Sequence, residues 1–234
     1  FIKVASCSAK DWPLLEAVAE ATMPVVVSTG GLDVSDIDNI TSFFEHRGVA
    51  HALMHCVSIY PIPRNDFNLN HIDTLKKRYR KLTVGWSTHE DPNEIVPVQI
   101  AVAKGARMFE RHVGFETDDN KLNAYSSTPE QLDKWIEAYK YANDLCGAKD
   151  ERPVTLVEKE SLDGLQRGIY LKKNIKAGHK ITREDVYFVM PYTDGQLSSE
   201  FWQEDMITAG ALKKDAPLMP VDVNMPDVPD TKVL

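Results

Sequence analysis

Two histidines, His89 and His112, stand at the ends of successive apolar, β-branched runs, Thr83–Ser87 and Ala106–His112. Neighbouring strands of a parallel sheet lie ~4.8 Å apart. Imidazoles at that separation can share one divalent cation. Two protein ligands leave coordination positions open for water and substrate, as Lewis-acid chemistry requires. Lys3 lies in the first apolar run, which ends at Ser6. A buried ammonium without a partner is costly, and an anionic ligand at the strand ends would remove that cost. Ser28 and Ser87, at two other strand ends, would add neutral donors. Arg111 precedes His112, so its side chain should face the other way and form a structural salt bridge. His46, His51, His55, His71 and His179 are read as hydrogen-bonded structural residues.

The elements that must hold these groups alternate. Apolar runs start at residues 2, 24, 51, 83 and 106 (Ile2–Ser6, Pro24–Thr29, His51–Cys56, Thr83–Ser87, Ala106–His112), separated by 22 to 32 residues. Amphipathic stretches lie between them. One carries Leu14, Leu15 and Val18. A second opens on Asp33, a good N-cap, and aligns Ile37, Ile40 and Phe44. A third carries Leu69, Ile72, Leu75 and Tyr79. A fourth holds Ile95, Val98 and Ile100, with Pro97 marking a late start or a kink. A fifth runs from about Pro129 to Leu145 and is ended by Gly147. Strand–helix alternation means a parallel α/β architecture with right-handed crossovers. The spacing suits either a (β/α) barrel or a doubly wound sheet. Ser6, Ser28 with Thr29, Ser58, Ser87 with His89, and His112 put polar residues at all five strand ends. That favours a barrel or a piece of one, because a barrel gathers every such end at one mouth.

Composition narrows the function classes. The chain has 234 residues, 43% hydrophobic and 26% charged, with a net charge of −8. These are globular values. The acidic balance argues against nucleic-acid binding, which needs a basic face. No segment approaches the ~20 apolar residues of a membrane span, and none reads as a signal peptide. Cys7, Cys56 and Cys146 are far apart and odd in number, which fits free thiols in a reducing cytoplasm. The chain enters a strand-like run at Phe1, which reads as a truncated N-terminus.

Residues 149–166 read as a polar linker with little periodicity. A unit of short strands and turns follows over 167–222, with strand-like runs at Gly168–Lys172 and Val186–Met190 and a small helix near Ser198–Trp202. Residues 223–234 read as a frayed tail.

Several short motifs recur in an order and spacing similar to the N-acetylneuraminate (sialic acid) synthase family. They are Lys3-Val4-Ala5-Ser6, Val27-Ser28-Thr29-Gly30, Tyr60-Pro61-Ile62-Pro63, Gly85-Trp86-Ser87-Thr88-His89 and Glu110-Arg111-His112, then Lys173-Asn174-Ile175-Lys176-Ala177-Gly178 and Ile181-Thr182-Arg183-Glu184-Asp185. The resemblance implies a partial (β/α)8 TIM barrel over residues 1–148, strands four to eight, followed by a small β-rich SAF (antifreeze-like) domain. It puts the family's general-base glutamate ahead of Phe1, so no catalytic residue is assigned here and the chain alone is expected to be inactive. Five barrel strands leave two open edges, so a stable monomer is not expected. His89 and His112 would hold a divalent metal, manganese in the family. Lys3, Ser6, Ser28 and Ser87 would grip phosphoenolpyruvate, and Tyr60 and Asn123 would face the acceptor sugar. The implied reaction condenses phosphoenolpyruvate with an N-acylated hexosamine to give a nonulosonic acid and phosphate. The implied assembly is a domain-swapped homodimer in the cytoplasm, with no nucleic-acid or membrane partner.

Three positions depart from the family pattern. Asn123 replaces an aspartate, Met190 an arginine, and Ser8 an acidic residue. Either the acceptor is a modified hexosamine or activity is lost, leaving a sugar-binding or regulatory homologue. A phosphoenolpyruvate-dependent synthase acting on a phosphorylated sugar is the other alternative, and residues 167–218 count against it.

Overall fold

A computed structural model of the chain describes residues 1–147, 151–190 and 192–226. It divides into two compact units, residues 1–150 and 151–234.

The first unit is built on five strands: β1 (Ile2–Val4), β2 (Val25–Ser28), β3 (His51–Cys56), β4 (Thr83–Thr88) and β5 (Phe109–Arg111). All pair in parallel, in the order β1-β2-β3-β4-β5. A doubly wound sheet reverses its strand order at a switch point. This one never does, which resolves the choice that spacing left open. The sheet also curls. Lys3 on β1 places its Nζ 3.1 Å from Oε2 of Glu110 on β5. In a flat sheet those two strands would lie about 19 Å apart, four spacings of ~4.8 Å, a gap these two side chains cannot close. The architecture is a five-stranded half-barrel.

Strand register separates two faces. Val4, Val25, Val27, Leu53, Val84 and Trp86 share the convex face and form one buried cluster with the helices. The concave face carries Lys3, Ser28, Cys56, Ser87 and Glu110. Helices α1 (Trp12–Glu20), α2 (Val34–His46), α3 (Asn70–Arg78), α4 (Val96–Ala103) and α5 (Pro129–Cys146) cover the convex side. Their starts follow from local chemistry. The carboxylates of Asp11 and Asp33 accept the Leu14 and Asp36 amides, and Thr128 with Gln131 forms a capping box. Pro97 lies in the first turn of α4, so it marks a late start rather than a kink. Gly147 ends α5 at φ 63°, a conformation that costs glycine least.

The second unit opens with α6 (Leu156–Asp163), inside the segment read as an irregular linker. Lys149 and Asp150 lie outside the described residues. From Glu151 onward that segment belongs to the second unit. Thr155 caps α6 by accepting the Glu158 amide, and Arg152 pairs with Glu158. The helix escaped the sequence reading because none of its residues is buried, so no apolar stripe marks it. Two small antiparallel sheets follow. One pairs β6 (Gly168–Leu171) with β8 (Val186–Val189). The other orders β10 (Val223–Asn224), β9 (Met206–Thr208) and β7 (Lys180–Ile181). Ile169, Leu171, Ile181, Val186, Met206 and Leu218 form the core. Gly168 must lack a side chain, because a Cβ there would sit 2.2 Å from Oε1 of Gln196, whose amide caps Ile169 O at 2.7 Å. The segment read as a tail from residue 223 is corrected at its start: Val223 and Asn224 pair with Thr208 and Ile207. Residues 227–234 of that reading lie outside the described residues. Among the described residues, no helix is long and apolar enough to cross a membrane.

Candidate functional site

The β4–β5 ladder ends at the pair Thr88↔Arg111, so His89 and His112 sit side by side one residue beyond it. Their ring centroids are 5.2 Å apart. Nδ1 of His89 lies 3.2 Å from the Val57 carbonyl oxygen. A carbonyl only accepts, so Nδ1 carries the proton and Nε2 keeps its lone pair. Burial holds the His89 pKa below the usual histidine range, with the Val57 contact opposing it in part. A neutral imidazole with a free Nε2 is the form that ligates metal. Among the described residues no group of three or more His, Cys, Asp or Glu converges as a metal site. His89 and His112 are the residues here that could hold a cation, with one ring nitrogen each.

Two tyrosines wall the pair. Tyr60 lies 4.3 Å from the His89 ring by centroids, and it is half exposed. Tyr125 contacts His89 at 5.9 Å, His112 at 5.1 Å and Tyr60 at 5.1 Å. Tyr125 was absent from the sequence reading, and nothing in its irregular loop signals it. Asn123 reaches this group through its neighbour: its Oδ1 accepts the Tyr125 amide at 3.1 Å, leaving the NH2 as its free polar group.

The anion side differs from expectation in one respect. Lys3 is not an unpaired ammonium, because Glu110 meets it across the concave face. The approach lies outside hydrogen-bond geometry, so Glu110 Oε2 is shielded without a hydrogen bond. Strand parity could have found Glu110, which stands two residues before His112 on the same face. Ser28 Oγ is buried with no partner, and Ser87 is buried on the same face. Ser6 is engaged: its Oγ accepts the Gly30 amide at 3.0 Å. Gly30 is hemmed in, since a Cβ there would lie 2.3 Å from Ser58 Oγ and 2.8 Å from Ser6 Oγ.

On the convex side, Arg111 forms the expected salt bridge, with the fully buried Glu90. Trp135 of α5 donates its Nε1 hydrogen to Glu90 at 3.0 Å. His55, also at a strand end, faces the helices, donates Nε2–H to Phe67 O at 2.8 Å and packs on His71. It is structural. Met190 is exposed, and the adjoining Pro191 lies outside the described residues.

A family model described as the NeuB family matches residues 1–151. The chain is 33% identical over 193 residues to the uncharacterised protein MJ1065 of Methanocaldococcus jannaschii, covering 81% of this chain and 56% of that protein. It is 30% identical over 208 residues to the pseudaminic acid synthase of Campylobacter jejuni serotype O:2, covering 86% and 57%. A crystal structure described as spore coat polysaccharide biosynthesis protein E from Chromobacterium violaceum superposes with a TM-score of 0.87. The two are 40% identical, and the match covers 96% of this chain and 67% of that one. The chain spans a little over half the length of these curated relatives.

Proposed function

The chain belongs to the NeuB family, and on that premise we propose that it carries the metal- and donor-binding part of a synthase. The reaction condenses phosphoenolpyruvate with an N-acylated hexosamine, giving a nonulosonic acid and phosphate. The observation that carries this reading is the side-by-side placement of His89 and His112, 5.2 Å apart by ring centroids, on the concave face that also carries Ser28, Ser87 and Lys3, whose Nζ reaches Glu110 two residues before His112.

A divalent cation held by the two imidazoles, manganese in this reading, would polarise the acceptor's aldehyde oxygen. The protein's own groups do the rest. Lys3 exchanges Glu110 for the anionic donor, and the orphaned Ser28 hydroxyl supplies a hydrogen bond to it. Ser87 and Ser6 complete the donor side. Ser28 and Ser87 are buried in place before the donor arrives, so their share of the stabilisation needs little reorganisation. Tyr60 and Tyr125 offer aromatic faces to the acceptor, and Asn123 offers an amide donor where the family has a carboxylate. That change favours a modified hexosamine as acceptor.

The second unit is read as the SAF domain, capping the partner subunit's site in a domain-swapped cytoplasmic homodimer. Deleting residues 167–234 is then expected to lower both the sedimentation coefficient and sugar affinity; unchanged values of both would remove the capping role. The reaction is tested by phosphate release from phosphoenolpyruvate with Mn2+ and a panel of N-acylated hexosamines, using the whole gene product. Release with at least one sugar is expected. Tight sugar binding without release from any of them would favour the non-catalytic alternative.

A further inference from the structure

The β4–β5 ladder brings the two histidines alongside but stops one residue short of both, and a side-chain network on the opposite face flanks them. Glu90 directly follows His89 and Arg111 directly precedes His112, and the two form an ion pair whose side chains are 0% and 3% exposed. Glu90 Oε1 also takes the Trp135 Nε1 hydrogen at 3.0 Å, which ties the β4 end to α5. Arg111 Nε donates to Ser127 Oγ at 2.5 Å, and the Ser127 amide donates to the His112 carbonyl at 2.9 Å. Every link thus ends one residue from an imidazole or on its own backbone.

Stability alone does not account for this cluster. Glu90 Oε2 and an Arg111 terminal nitrogen are both buried without a hydrogen bond. A buried ion pair with orphaned atoms is often no more stable than an apolar replacement. We propose that Glu90 and Arg111, with Trp135 and Ser127, are positioning residues that hold the His89 and His112 rings at the spacing one cation requires. The metal part of this rests on the reading above; the ring spacing does not.

The test uses the full chain and a paired substitution, Glu90→Leu with Arg111→Met, which removes both charges together. Its fold is checked by circular dichroism and cooperative thermal unfolding. Mn2+ affinity is read by electron paramagnetic resonance, and ring proximity by the nuclear Overhauser effect between the two imidazoles without metal. The folded paired variant is expected to lose the inter-ring effect and to bind Mn2+ about 10- to 100-fold more weakly. A folded variant that keeps the inter-ring effect overturns the positioning role, whatever the metal does. Loss of the inter-ring effect in that variant while His89→Ala binds Mn2+ like the unaltered chain would leave positioning standing and sink the metal reading instead. Should the paired variant not fold, Arg111→Lys is read in the same way, since it keeps the charge but gives up the Nε donor to Ser127.

Discussion

Two buried carboxylates, Glu90 in the first unit and Asp185 in the second, both form ion pairs and are used in opposite ways. Asp185 has every oxygen engaged: Lys173 at 2.6 Å, His179 at 2.8 Å, the Thr182 amide at 3.0 Å and the Thr182 hydroxyl at 3.2 Å. Burial, the largest single influence, pushes its pKa up, yet these contacts together outweigh it and hold the carboxyl well below the usual range. Glu90 is more deeply enclosed and keeps an orphaned oxygen. Burial there outweighs Arg111 and Trp135, and its pKa is pushed up. The second unit, with a small core, spends its polar groups on holding itself together. The first has the larger core and keeps an imperfect pair on the face opposite the histidines, one residue from each.

The contrast breaks most visibly when one partner is removed. Glu90→Gln leaves the Arg111 charge buried and uncompensated, and about 3–5 kcal/mol of stability is expected to go, read by urea unfolding of the full chain. A change below about 1 kcal/mol would mean that water reaches the pair. Asp185→Asn keeps the shape and some hydrogen bonds, so a smaller loss of about 1–3 kcal/mol is expected, confined to the second unit. The same residue sharpens the comparison through pH. The native Asp185 pKa lies below the unfolded value of 3.8, so its contribution is complete above that value and is lost as pH falls through and below it. Acid titration followed at Trp202, in the second unit, should show this loss, and Asp185→Asn should flatten it. An unchanged acid limb in that variant would show that other groups govern acid unfolding. The smallest effect belongs to Glu110, whose pair with Lys3 is part-solvated. Glu110→Gln is expected to change stability by ~0–1 kcal/mol while altering phosphoenolpyruvate affinity by calorimetry. Unaltered affinity would show that Lys3 does not exchange partners.

Much of this was legible in the residues. Short apolar, β-branched runs and polar strand ends located the five strands and both histidines, and Arg111 was correctly turned away from His112. What could not be read is what depends on curvature or on loops. Sequence places Lys3 on one strand and Glu110 on another, but only the curl lets side chains of the sheet's outer strands meet. Tyr125 belongs to a loop without period, so its contact with both imidazoles had no local signal. Helix α6 carries Leu156, Val157 and Leu162, all exposed, and an element that buries nothing leaves no stripe to find.

The most direct test of the account is anomalous diffraction at the manganese edge from crystals of this chain soaked in Mn2+. One peak within bonding distance of a nitrogen from both His89 and His112 is the expected result. A chain with no manganese at this pair, or with the ion on one ring alone, would contradict it.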